Sequence, residues 1–295
     1  MPTPPRLLPA LITPFTRRGE LDLDAHTHNL ATLWERGLRG FLIGGSTGEG
    51  PYLEPGERRT LTAAARETLG RRGFLMTGVA AETTRGALTQ AEEAADGGAD
   101  AILVLTPTTL ARGRTGVIVG FFREVADRAP LPVYLYSVPT VTAYALPAEA
   151  IDELRSHPNV AGMKDSGGDP VRIQETVSAR DDGFLVFNGA SASLSLAMGA
   201  GAHGAITASA NYAVPLLAEL TRRPGGSPAR ANPLQRRLTD LTRVVESHGV
   251  AGTKAAAGVM GLRPGAPRRP LRPVGRAAVR RIEQALGVAG LLQEG

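Results

Sequence analysis

The sequence predicts an α/β fold, a (β/α)8 TIM barrel followed by a C-terminal layer of helices. Three observations carry that expectation. Eight short apolar runs recur with their starts about 20–35 residues apart, room for one strand, one helix and two loops. The runs show little alternation, as expected of parallel strands buried on both faces. No composition break interrupts the eight units, which favours closure over an open doubly wound sheet.

Taken in order, Leu7–Thr13 is the first run, and Asp24 precedes a helix reaching Gly37. Phe41–Ile43 leads to a helix that starts near Glu54-Pro55-Gly56-Glu57, with proline in its first turn, and continues to Leu69. Leu75–Gly78 is followed by a helix over Ala87–Gly97, and Ala101–Leu105 by one over Thr115–Arg128. Val133–Tyr136, Val160–Met163, Leu185–Asn188 and Gly204–Thr207 complete the eight. From Asn211 onward no strand-like run remains. Helices are expected over Tyr212–Thr221, Pro233–Ser247, Gly252–Met260 and Gly275–Leu286. The stretches Arg222–Asn232 and Arg263–Pro273, rich in proline, glycine and arginine, read as connectors. Residues 1–210 are thus assigned to the barrel and 211–295 to a helical extension packed on it.

Composition narrows the chemistry. A chain of 295 residues with 42% hydrophobic content can bury a sizeable core. It has no cysteine, which excludes disulfides, thiol nucleophiles and Cys-ligated metals and suits a reducing compartment. Net charge is +5, but only two of the 33 basic residues are lysine, Lys164 and Lys254. The arginines are scattered as singles and pairs and aromatics are only 4%, so no nucleic-acid surface is expected. Prolines break up the first fifteen residues, which hold no apolar run long enough for a leader or a membrane span. A cytoplasmic protein without membrane contact is the expectation.

In such a barrel, function sits at the C-terminal ends of the strands. There the sequence places Gly44–Gly50, Thr106-Pro107-Thr108-Thr109, Tyr136-Ser137-Val138-Pro139, Lys164-Asp165-Ser166-Gly167-Gly168, Asn188-Gly189-Ala190-Ser191 and Thr207-Ala208-Ser209. Lys164 directly continues an apolar run, so its stem should enter the barrel mouth. An ammonium in an apolar cavity loses solvation, which favours the free amine a carbonyl-attacking lysine needs. The other reading is a structural lysine paired with an acid such as Asp165. The glycine-rich loop lacks the lysine of a nucleotide-phosphate loop. Its backbone N–H groups and the Ser46 and Thr47 hydroxyls can converge on a carboxylate, or it is simply a tight turn. Tyr136 is either a proton relay or core packing. His26 and His28 fall on a helix, where i and i+2 diverge, so no metal is expected there. His203 opens a strand at the non-catalytic end and reads as structural.

Together with Thr13-Pro14-Phe15 and Gly204-Ala205-Ile206, the segments Gly45–Glu49, Tyr136–Pro139, Gly162–Gly168 and Asn188-Gly189 resemble the dihydrodipicolinate synthase/N-acetylneuraminate lyase family of class I Schiff-base aldolases. The resemblance spans nearly the whole chain. Its wording is most similar to the 4-hydroxy-2-oxoglutarate aldolase branch. It implies Lys164 as the imine-forming nucleophile and Tyr136 as the group that moves protons. Ser46, Thr47 and Gly48 would hold the carboxylate of a 2-oxo acid such as pyruvate, with Ser46 also in the relay. Ser166 would lie near a substrate hydroxyl, with Asn188 and the backbone at Ile206 bordering the site. The resemblance implies no metal and no cofactor beyond the covalent lysine imine, and a homo-oligomer, dimer or tetramer.

Two departures stand out. Thr140-Val141-Thr142 lacks the arginine by which the synthase branch grips its second substrate. Thr108 and Thr109 occupy positions where relatives carry tyrosines, and a threonine hydroxyl relays protons poorly; Tyr144 and Tyr52 are conceivable replacements. The leading reading is therefore a lyase making or cleaving a C–C bond of a 2-oxo acid such as 4-hydroxy-2-oxoglutarate. The alternatives are dehydration or a specialised condensation of a deoxy sugar acid through the same imine, and a non-catalytic 2-oxo-acid binder. Lys254, in the C-terminal helical layer, is the control: its replacement by arginine should leave activity intact, whereas Lys164→Arg should abolish it.

Overall fold

The computed structural model describes residues 3–181, 183–222 and 228–292. Among these, eight parallel strands appear where the apolar runs predict them. They are β1 (Leu7–Pro9), β2 (Gly40–Ile43), β3 (Phe74–Val79), β4 (Ala101–Leu105), β5 (Val133–Ser137), β6 (Val160–Asp165), β7 (Leu185–Asn188) and β8 (Gly204–Thr207). Their order is β1-β8-β7-β6-β5-β4-β3-β2. Leu11 N donates to Leu42 O at 2.9 Å and Ala10 bridges Leu42, so the remaining edges meet and the barrel closes.

The absence of alternation in the runs has a direct cause: both faces are buried, against different layers. On β4, Ala101 and Leu103 fill the barrel interior while Ile102 and Val104 pack under the helices. On β5, Tyr134 and Tyr136 point inward and Val133 and Leu135 outward. Lys164 lies in register with Tyr136 across the β5–β6 ladder, and its neighbour Met163 belongs to the outer layer. Period 2 therefore sends Lys164 into the barrel.

The barrel helices include α1 (Leu23–Glu35), α2 (Glu57–Leu69), α3 (Thr84–Asp96), α4 (Thr115–Arg128), α5 (Pro139–Thr142), α6 (Ala148–Leu154), α7 (Pro170–Ser178) and α8 (Leu194–Ala200). Several boundaries move, each for a local reason. The cap of α1 is Asp22, whose carboxylate accepts from Ala25 N at 2.9 Å, rather than Asp24. Helix α2 opens only at Glu57, because Gly56 adopts φ +84°. Thr83 caps α3, which begins three residues before Ala87. β1 stops at Pro9, and Ile12 N donates to the Asn211 side chain at 3.1 Å instead of continuing a ladder.

Four more helices follow β8: α9 (Val214–Arg222), α10 (Pro228–Glu246), α11 (Gly249–Val259) and α12 (Arg276–Val288). Helix α9 packs on α8 and β1 and so completes the ring of the barrel. The helical ring thus extends past residue 210 to Arg222, and α10–α12 are the added layer. Part of the expected connector Arg222–Asn232 is helical, since α10 runs through Pro233; residues 223–227 lie outside the described residues. Helix α10 packs on the turn Ser191–Ser193 after β7, and α11 on the turn Ala208–Asn211 after β8. The added layer thereby overhangs the C-terminal ends of the strands.

His26 is buried in α1, with Nε2 3.2 Å from Leu61 O, and burial lowers its pKa from 6.5 to about 4 against the opposing pull of that carbonyl. Below pH 6.5 the unfolded chain takes up a proton that folded His26 refuses until about pH 4. Stability from this group is therefore full above pH 6.5 and falls as pH drops toward 4, by roughly 2–3 kcal/mol. Urea unfolding at pH 7 and 4.5 should show that loss, and His26→Gln should flatten it. Equal pH slopes for the two proteins would overturn the assignment.

Candidate active site

Lys164 Nζ donates to Tyr136 Oη at 3.3 Å and sits 4.4 Å from the centroid of the phenol ring. Both side chains are buried. Burial pushes the Tyr136 phenol up, but the charge of Lys164 and hydrogen bonds from Ser46, Lys164 and Ser166 outweigh it and hold the phenol below its ordinary value. Three hydroxyl groups and one amine thus converge on a single buried point, a ready path for proton movement.

Each group is held from behind. Asp165 points away from Lys164: Arg172 Nε donates to it at 3.0 Å and Gly167 N at 2.9 Å. The structural partnership of Lys164 with Asp165 is therefore not formed. Gly189 lies directly beneath the nucleophile. A Cβ built there would come within 2.0 Å of Ser166 Oγ and 2.7 Å of Lys164 Cε, so a larger residue would displace both side chains. Gly50 is equally constrained, since its Cβ would overlap Gly44 O at 2.0 Å. Arg58, buried on α2, donates to Gly78 O and, at 3.2 Å, to Gly50 O, propping the loop that carries Ser46.

Above this cluster opens a cavity of about 890 Å3. Ser46, Thr47, Tyr136, Lys164 and Ser166 line it. The other three candidates do not appear in its wall. Gly48 faces inward, its carbonyl accepting from Thr13 Oγ1 at 2.6 Å. Asn188 donates to Ala190 O at 2.7 Å and shapes the turn after β7. Ile206 belongs to the barrel interior. Thr108 and Thr109 do not line the cavity either; the Glu82 carboxylate accepts from their backbone N–H groups at 3.0 and 2.8 Å. Tyr144 turns toward α4, its hydroxyl 3.0 Å from Thr115 Oγ1, and so does not replace them. Tyr52 does line the cavity.

Sequence reasoning missed Glu246, which α10 brings into the cavity wall, and the buried contacts of Lys254. That lysine is buried on α11, with Nζ 2.5 Å from Glu49 Oε1 and donating to Ala266 O at 2.7 Å. Glu49 itself sits at φ +58° and accepts from Arg268 N at 2.7 Å. Lys254 is thus a strut between the added helices and the loop carrying Ser46. His203 Nε2 donates to Pro4 O, 2.9 Å away, on the opposite end of the barrel. Among the described residues no group of three or more His, Asp or Glu side chains is placed to hold a metal ion, and no helix is long and apolar enough to cross a membrane.

A buried lysine and phenol at the mouth of a closed barrel define a protein of the class I aldolase type. The chain belongs to the dihydrodipicolinate synthetase (DHDPS) family, which its residues 3–288 match; enzymes of that family are lyases. It is 34% identical to 4-hydroxy-tetrahydrodipicolinate synthase 1 of Streptomyces coelicolor, an alignment covering 96% of this chain and 93% of the relative. A DHDPS from Cyanidioschyzon merolae with lysine bound superposes with a TM-score of 0.90 at 25% identity, covering 97% of this chain and 98% of the other. A chloride-inhibited dihydrodipicolinate synthase from Acinetobacter baumannii complexed with pyruvate gives a TM-score of 0.90 at 25% identity, over 98% and 100% of the two chains.

Proposed function

We propose that this protein is a Schiff-base lyase that makes or cleaves a C–C bond of a 2-oxo acid, with pyruvate as the imine-forming partner. The observation that carries the reading is the Lys164 amine 3.3 Å from the Tyr136 hydroxyl, with Ser46 and Ser166 against the same oxygen. The pyruvate complex of a family member supports the choice of 2-oxo acid.

In the cleavage direction Lys164 Nζ adds to C2 of the 2-oxo acid and water leaves, giving a protonated imine. The proton on the C4 hydroxyl passes to the oxygen cluster at Tyr136. The C3–C4 electron pair then moves into the imine, releasing an aldehyde and leaving an enamine. Protonation at C3 and addition of water release pyruvate and restore the amine. Condensation runs the same steps in reverse. Ser46, Thr47 and the loop amides would receive the 2-oxo acid's carboxylate.

The finer assignment to 4-hydroxy-2-oxoglutarate rests on the wording of the motifs and is one substrate to test. A second reading keeps the imine but dehydrates or condenses a deoxy sugar acid; the threonines at 108 and 109, which do not line the cavity, favour it. A non-catalytic 2-oxo-acid binder would show saturable binding without turnover. We also propose a cytoplasmic homo-oligomer, a dimer or tetramer, which sedimentation would test.

Borohydride reduction in the presence of pyruvate is the decisive experiment. Mass spectrometry should place one reduced pyruvate adduct on the peptide holding Lys164. Folded protein that yields no adduct there would sink the proposal.

A further inference from the structure

The cavity has two chemically different ends. Lys164, Tyr136 and the Ser46–Thr47 loop form the inner one. The outer wall comes largely from the added helices: Glu246 at the end of α10, and Gly249, Val250 and Thr253 on α11. Lys164 is the only cationic side chain among the described residues lining this cavity. Its nitrogen is taken into the imine with the first substrate and carries no charge in the enamine that meets the second. Of the two acids in the wall, Glu49 is already paired with Lys254. Glu246 has no cationic partner within ion-pair distance among the described residues.

Glu246 faces the Tyr212 hydroxyl. It is solvent-exposed at the rim of the cavity; partial desolvation there raises its carboxyl above the usual range, with Tyr212 and the charge of Lys164 pulling it back. The nearby arginines offer no relief. Arg268, Arg269 and Arg272 line a neighbouring cleft that shares only Leu271 with the cavity, and Arg268 is bound to Glu57. A second carboxylate reaching the outer end would therefore meet an unpaired acid and no cation. Like-charge juxtaposition of this kind is how sites reject wrong partners. Hydroxyl groups would instead find acceptors and donors in Glu246, Ser193 and Thr253, all in the wall.

We propose that Glu246 is a specificity-determining residue that selects an uncharged, hydroxylated aldehyde as the partner of the 2-oxo acid and rejects an aldehyde carrying its own carboxylate. The inference rests on the Schiff-base reading above and narrows its second substrate.

The test measures C–C bond formation from pyruvate with glyceraldehyde and, separately, with glyoxylate. Wild-type protein should favour glyceraldehyde by about tenfold or more in kcat/KM, the scale of one unfavourable charge contact. Glu246→Gln, nearly isosteric, should narrow that ratio, and Glu246→Arg should reverse it. Equal or better turnover of glyoxylate by wild type, or a ratio unmoved in the variants, overturns the inference. Turnover of neither aldehyde does so too. Borohydride trapping with pyruvate alone separates the two proposals, because it needs no aldehyde. If trapping fails, the Schiff-base reading falls; if it succeeds without the preference, only the role of Glu246 falls.

Discussion

Lys164→Arg should lower kcat/KM on the order of 10⁴-fold or more while the protein stays folded, the scale seen when a covalent nucleophile is removed. Arginine keeps the positive charge but its guanidinium neither deprotonates nor forms an imine. The position tolerates little else. The lysine stem lies against the Cα of Gly189, where a Cβ would approach Cε to 2.7 Å, so a planar guanidinium would also press on Ser166. A second variant separates charge from nucleophilicity. Lys164→Met removes the charge that, with the hydrogen bonds from Ser46, Lys164 and Ser166, outweighs burial at Tyr136. Its phenol should therefore titrate higher than in wild type, whereas Lys164→Arg should keep it low. Ultraviolet titration of tyrosinate reads that difference. Turnover retained in the folded arginine variant would rule out an imine at this residue.

Lys254→Met should cost about 3–5 kcal/mol of stability, the penalty for leaving one member of a buried ion pair without its partner. Glu49 and Lys254 are 2% and 3% exposed and 2.5 Å apart, so water does not screen the abandoned carboxylate. Lys254→Arg should also destabilise, because the larger group must fit between Glu49, Ala266 O and the Phe15 ring, 5.0 Å from the lysine nitrogen. Adding Glu49→Gln to Lys254→Met should recover part of the loss, since an amide tolerates burial better than a charge. Urea unfolding measures all three. A loss below about 1 kcal/mol for Lys254→Met would place the pair in the range of solvated surface bridges instead.

The barrel was readable because parallel strands buried on both faces leave continuous apolar runs, and all eight runs became strands. Lys164 stood out for the same reason, since it continues such a run to the strand end, and the register of β6 then sends it inward while Asp165 pairs with Arg172. Boundaries set by a single side chain were less readable. Asp22 and Asp24 are equally good caps in a sequence, and only the hydrogen bond to Ala25 N decides between them.

What the sequence by itself determined is local and periodic: strand spacing, a lysine continuing an apolar run to its strand end, and a glycine-rich turn carrying Ser46 and Thr47 after the second strand. What the tertiary structure alone decided is which distant groups meet at the barrel mouth. Glu246 enters the cavity from a helix beyond the barrel, Glu82 accepts from the backbone N–H groups of Thr108 and Thr109, and Lys254 anchors Glu49. None of these pairings leaves a local pattern. Each depends on how the added helices and loops settle on the strand ends, where burial and charge depend on neighbours far away along the chain.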